Sequence, residues 1–154
     1  MTKKGRKSVE TIGSYLKLRG VCPDAMLSSC ALRAQETADL LAKKLEFEAP
    51  VSYLRELYFT DTQTLKEMVS MQESTIDTLF VIGHNPQITD MANLLIGEHI
   101  SKIPTMGVAA INFEIEEWSE IKQIKGELDF FIYPKQFQHY IPNQIRSILS
   151  SQKL

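Results

Sequence analysis

Cysteine is scarce in this 154-residue chain, and the two that occur, Cys22 and Cys30, form neither a CxxC pair nor a Cys/His cluster. That spacing excludes a disulfide-stapled scaffold and a structural zinc site, and it fits a reduced, cytoplasmic protein. A charge excess is also missing. With 17 Lys and Arg against 19 Asp and Glu, the formal net charge is −2, so a general nucleic-acid binder, which needs a basic stripe, is excluded. The one local bias is Lys3, Lys4, Arg6 and Lys7, which reads as a solvated helix start. No apolar run approaches the roughly 20 residues of a membrane-spanning helix. What the chain does have is 44% hydrophobic residues in a length typical of one domain, enough to bury a core without cross-links.

The periodicity predicts alternating elements. Val9, Ile12, Leu16 and Leu18 form a helical stripe over Val9 to Arg19, stopped at Gly20. Ala25-Met26-Leu27 reads as a short buried strand emptying into Ser28-Ser29. Ala31 to Leu45 repeats Leu32, Ala34, Ala38, Leu41 and Leu45 at helical steps, with Ser29 as its cap. Pro50 to Leu54 reads as a strand, and Thr60-Asp61-Thr62 as the cap of a helix containing Leu65, Met68 and Val69. Thr78 to Ile82 is the strongest strand pattern, with the four apolar residues in a row that a parallel strand covered on both faces carries. It ends at Gly83-His84-Asn85-Pro86, and Pro86 is placed to begin a helix running to Leu95.

Val108 to Ile115 and Glu127 to Tyr133 are strand-like and joined without a helix-length crossover, which predicts an antiparallel edge. A last helical pattern, Ile141, Ile145, Ile148 and Leu149, marks residues 136–154 as a C-terminal extension to a domain of residues 1–135. The expected fold is α/β: three layers, a mainly parallel sheet with helices on both faces, and an antiparallel edge.

Ligands of such sheets bind beyond the carboxyl ends of the strands. The loop after Leu27 offers Ser28, Ser29 and, one helical turn on, Arg33; the loop after Ile82 offers His84 and Asn85. Together they put a guanidinium, an imidazole, hydroxyls and two helix N-termini on one rim, an arrangement suited to a phosphate. Arg33 also fits a solvated surface group. His84 is the sharper candidate, because Gly83 and Pro86 fix the backbone around a titratable ring. His99 and His139 lie in ordinary surroundings, and Cys30 has no base at readable spacing to make it a nucleophile.

Three stretches carry a resemblance: Ser28-Ser29-Cys30-Ala31-Leu32-Arg33-Ala34-Gln35-Glu36-Thr37-Ala38, Val81-Ile82-Gly83-His84-Asn85-Pro86 and Pro104-Thr105-Met106-Gly107-Val108. In this order, with Tyr133-Pro134-Lys135 after the final strand, they resemble the histidine phosphatase superfamily, in particular its small phosphohistidine phosphatase branch of the SixA type. The resemblance runs from about Thr2 to Lys135 and implies a phosphoglycerate mutase-like fold. It implies a hydrolase in which a histidine nucleophile takes the phosphoryl group and water releases it. Arg33 then corresponds to the second phosphate-clamping arginine and His84 to the second histidine, both acting electrostatically on the phosphoryl oxygens. Glu56 falls where larger members carry an acid/base carboxylate, and it equally fits a surface carboxylate at a strand end. Asn85 is a candidate to orient the loop or touch the phosphate, Ser29 a candidate phosphate ligand, and Thr105 a candidate pocket residue. The implied substrate is phosphohistidine on a phosphotransfer protein of a signalling system, or a phosphorylated small molecule, with no metal or organic cofactor.

The family's opening strand, which ends in an Arg-His pair bearing the nucleophile and the first phosphate-binding arginine, has no counterpart here. That strand is an interior one beside the His84 strand. The resemblance therefore implies an open slot in the sheet and a natural product longer than this chain, with Met1 standing at a position where leucine is usual. In the chain as given, catalysis is expected to be absent or strongly impaired. The alternative is a non-catalytic module that binds phosphate or a phosphohistidine protein.

Overall fold

The computed structural model describes residues 1–59 and 61–137. Helix α1 spans Lys3–Leu18, starting well before the apolar stripe. Thr2 begins it, its hydroxyl accepting from the Gly5 N–H at 3.0 Å. The basic residues at positions 3, 4, 6 and 7 form its exposed first turns with no acidic residue among them, so the side-chain cap offsets an unfavourable charge at the helix dipole. Gly20 follows in the left-handed conformation, φ +78, where glycine carries no Cβ penalty.

Strand β1 (Ala25–Ser29) includes the two serines expected to lie beyond it. Helix α2 (Leu32–Lys44) follows, then β2 (Ser52–Leu54) and the one-turn helix α3 (Glu56–Phe59). Helix α4 (Thr62–Ser70) is capped by Asp61, whose carboxylate accepts from the Thr64 N–H at 2.8 Å; Thr60, expected in the same cap, lies outside the described residues. Strand β3 (Leu79–Ile82) leads into α5 (Gln87–Ile96), which Pro86 precedes. Strands β4 (Val108–Asn112) and β5 (Glu127–Ile132) form the expected antiparallel pair, joined through a 3₁₀ turn at Trp118–Lys122. His139 and the helical pattern from Ile141 to Leu149 lie outside the described residues.

The bond from the Thr64 N–H holds the Asp61 carboxyl below its usual value. A depressed folded-state value contributes stability that is present above the unfolded value, near 3.8, and is lost as pH falls through the folded value. Asp61→Ala is therefore expected to lower the Tm at pH 7, with the gap to the parent closing at the acid end of a thermal-melt series. A gap independent of pH would show that the carboxylate is not the cap.

The parallel sheet has the order β2-β1-β3. Side chains alternate across it: Met26 packs on Ala38 and Ala42 of α2, while Leu27 joins Leu65, Val69, Met91 and Leu95 of α4 and α5, as the two-residue period of a strand dictates. Phe80 and Ile82 face the α1–α2 side, and Leu79 and Val81 the α4–α5 side. On the first side, α1 and α2 approach closely at Gly13, where an added Cβ would lie 2.6 Å from the Lys44 Cγ.

The expected α/β arrangement of a parallel sheet, an antiparallel pair and flanking helices is present, the hairpin forming a two-stranded sheet of its own. Val108, Phe130 and Ile132 pack with α1, and Ile111 packs with the α4–α5 side, so the same two helical layers cover both sheets. Among the described residues β3 pairs with β1 alone. The apolar run Leu79–Ile82 packs against both helical layers as expected, and each of its residues is half-buried, since among the described residues one edge of β3 has no strand beside it to shield it.

Candidate functional site

The register sets the site. Ser29 is opposite Leu54 of β2, and Ser28 is opposite Ile82 of β3, so the three parallel strands end flush and their following loops emerge at one edge. Asp24 fixes the other end, its carboxylate accepting from the backbone N–H groups of Asp77 and Thr78 at 3.0 and 2.9 Å.

After β1, the Ser29 hydroxyl accepts from the Ala31 N–H at 3.2 Å, and the Gln35 amide donates to the Cys30 carbonyl at 2.7 Å. These two bonds brace the turn that starts α2. Arg33 lies in the first turn of that helix and is exposed. The carboxylate one turn on, Glu36, is paired with the Met1 amine at 2.7 Å, and no acidic residue occupies the first turn of α2. The guanidinium and the helix N-terminus thus present positive potential together. Ser29 is fully buried with its hydroxyl turned to the backbone, so it shapes the turn.

After β3, the His84 carbonyl accepts from the Ile88 N–H at 3.0 Å. The Asn85 amide bridges outward: its Nδ2 donates to the Ile103 carbonyl at 2.8 Å, and its Oδ1 accepts from the Thr89 hydroxyl. That hydroxyl in turn accepts from the Ile103 N–H at 3.0 Å. Both ends of the Asn85 amide are therefore occupied in tying the His84 loop to α5 and to the segment before β4; of its two expected roles, this geometry serves the orienting one. His84 itself is half-buried.

Thr105 is exposed in the turn that precedes β4. The next residue, Met106, has φ 60, and its sulfur accepts from the Thr37 hydroxyl on α2 at 3.8 Å, one turn along the helix from Arg33. Glu56 is exposed at the start of α3, beyond the carboxyl end of β2. The same short helix brings a residue that sequence reasoning passed over: the Tyr58 ring stands edge-on to the His84 imidazole, centroids 5.1 Å apart and planes at 86°. The rule that loops after strands carry function points to this loop as well as to the other two.

Elsewhere, burial and then the neighbouring Asp39 push the Tyr53 phenol up to about 12, and its hydroxyl donates to that carboxylate. This pair ties β2 to α2. Among the described residues no group of three or more His, Cys, Asp or Glu side chains converges on a metal position, and no helix is long and apolar enough to cross a membrane.

No protein-family model matches the chain. An uncharacterized protein of Mycobacterium leprae is 28% identical over 141 residues, covering 86% of this chain and 84% of that protein. The mitochondrial serine/threonine-protein phosphatase Pgam5 of Drosophila yakuba is 42% identical over 48 residues, 31% of this chain and 17% of that protein. Among solved structures, the protein histidine phosphatase SixA complexed with tungstate superposes with a TM-score of 0.78 at 19% identity, covering 90% of this chain and 86% of that one. The SixA protein of Agrobacterium tumefaciens gives 0.73 at 23% identity, covering 87% and 82%. The parallel β2-β1-β3 sheet, the antiparallel pair and the flanking helices are thus those of the SixA-type histidine phosphatase fold.

Proposed function

We propose that this protein is a phosphohistidine phosphatase-like protein whose Arg33 and His84 hold a phosphoryl group. The observation that carries this reading is the flush ending of β1 and β3, which brings the start of the Arg33 helix and the His84 loop to one edge. The tungstate complex of a SixA with the same fold supports it, since tungstate is a tetrahedral oxyanion like phosphate.

In the full-length form, a histidine on a strand beside β3 supplies the nucleophile. Its imidazole nitrogen attacks phosphorus, and a new N–P bond forms as the N–P bond of the substrate phosphohistidine breaks. The departing imidazole takes up a proton. Water then attacks the enzyme phosphohistidine, breaking that N–P bond and releasing inorganic phosphate. Arg33 and His84 hold the equatorial oxygens while charge spreads over them, and Glu56 is the carboxylate to move the proton. The unpaired edge of β3 among the described residues supports a strand in that place. The substrate is phosphohistidine on a cytoplasmic phosphotransfer protein of a signalling system, and neither metal nor organic cofactor takes part.

The three histidines of the sequence are His84, His99 and His139, and His84 has its own role. The 154-residue chain is therefore expected to bind inorganic phosphate but not to turn over an aryl phosphate or a phosphohistidine protein. A chain extended by its upstream in-frame codons, carrying an Arg-His pair, is expected to turn over both. An immediate upstream stop codon favours the second reading, a module that binds phosphate or a phosphohistidine protein without hydrolysis. Turnover by the 154-residue chain that survives His84→Ala would overturn both.

A further inference from the structure

We infer that Tyr58 is a positioning residue for His84: its aromatic ring, rather than any hydrogen bond to the imidazole, sets the orientation in which His84 meets an anion. The inference rests on the reading of His84 as a phosphoryl ligand. The backbone around His84 is fixed by the Ile88 N–H bond and by the Asn85 bridge to Thr89 and Ile103. That leaves the side-chain torsions. A functional imidazole is ordinarily oriented by a hydrogen bond to one ring nitrogen, which spends that nitrogen. Among the described residues no hydrogen bond reaches either ring nitrogen of His84; the contact on the ring is the edge-on face of Tyr58 at 5.1 Å and 86°. An edge-to-face pair is a preferred aromatic geometry with directional character. It restrains the imidazole plane while leaving both nitrogens to the ligand.

The local sequence explains why the ring is there. β2 ends flush with β1 at Leu54, and α3 is a single turn closed by the Tyr58 N–H to the Arg55 carbonyl at 2.9 Å. Leu57 anchors that turn, 4% exposed among Leu65, Val69 and Met91. With Leu57 pinned into the core, its neighbour Tyr58 is carried on the outer side, 41% exposed, where its ring meets the His84 loop. A long side chain held at an exposed position beside a candidate ligand is a device for orientation at little cost to the core.

The test uses the 154-residue chain with the His84 ring signals assigned through His84→Gln, and inorganic phosphate as the probe. In the parent, nuclear Overhauser cross-peaks between the Tyr58 and His84 rings are expected. Tyr58→Leu is expected to move the His84 ring signals by loss of the ring current and to weaken phosphate by about two- to tenfold, the range that an aromatic edge contact carries. Tyr58→Phe is expected to keep both, because the ring is retained. The inference is overturned if the cross-peaks are absent, if Tyr58→Leu changes neither readout, or if Tyr58→Phe loses as much as Tyr58→Leu. A parent that shows the cross-peaks but does not bind phosphate overturns the phosphoryl-binding reading instead, and the ring signals then decide the positioning claim by themselves. Should Tyr58→Leu not fold, the parent cross-peaks and Tyr58→Phe still decide it.

Discussion

Arg33→Ala is expected to weaken binding of inorganic phosphate by about tenfold to a hundredfold, the loss of one or two charge-assisted hydrogen bonds. The fold should not register the change. Arg33 is exposed, the turn before it is braced by Ser29 and Gln35, and surface substitutions away from such contacts fall within about 0.5 kcal/mol. Arg33→Lys is expected to recover part of the affinity only, because an ammonium restores the charge without the planar fork that meets two phosphate oxygens. The effect should shrink as salt is raised, since an exposed guanidinium is screened beyond about 8 Å at physiological ionic strength. Titration of the parent and both variants, alongside thermal melts, checks the claim. An alanine variant with parental affinity would return Arg33 to the solvated surface group that its position also fits.

Periodicity revealed the elements whose faces are fully used. α2 and α5 came within a residue or two of expectation because each buries one stripe, and β1 because its side chains alternate between two helical layers. It failed where no stripe exists. The first two turns of α1 are polar and exposed, so their helical state rests on the Thr2 cap and on continuity with Val9 and Ile12. For β3 it located the strand, since four consecutive apolar residues say that a strand is fit for burial on both faces, but not what lies beside it. The half-burial of Leu79–Ile82 goes with the edge of β3 that is unpaired among the described residues, a property of topology rather than of the run.

The candidate site divides in the same way. Gly83 and Pro86 marked His84 as unlike His99, and the loop rule led to Arg33. Side-chain direction was not legible. Asn85 and Ser29 have the chemistry of phosphate ligands, yet hydrogen bonds to Ile103, Thr89 and Ala31 employ their polar atoms. Tyr58 shows the reverse: a residue with no motif around it reaches His84 because Leu57 is held in the core.

The bridge at Asn85 joins stability to function, and Thr89 is where to break it. Thr89 is 6% exposed, and its hydroxyl both donates to Asn85 and accepts from the Ile103 N–H. Thr89→Val keeps the shape and deletes the hydroxyl, stranding two polar groups at about 1 to 3 kcal/mol each. A loss of about 2 to 5 kcal/mol is expected, read as a lower denaturant midpoint with an unchanged slope. Thr89→Ser retains both bonds and should lose much less, which separates the hydroxyl from the methyl group. Because the Asn85 amide also holds the loop that carries His84, Thr89→Val is expected to weaken phosphate binding in the protein that remains folded, even though residue 89 is a buried position in the first turn of α5. Equal stability of the valine and parent proteins would mean that water replaces the hydroxyl and that the bridge does not tension the loop. A valine variant that loses stability but binds phosphate as the parent does would show instead that backbone bonds, such as that from the Ile88 N–H, are enough to hold His84 in place.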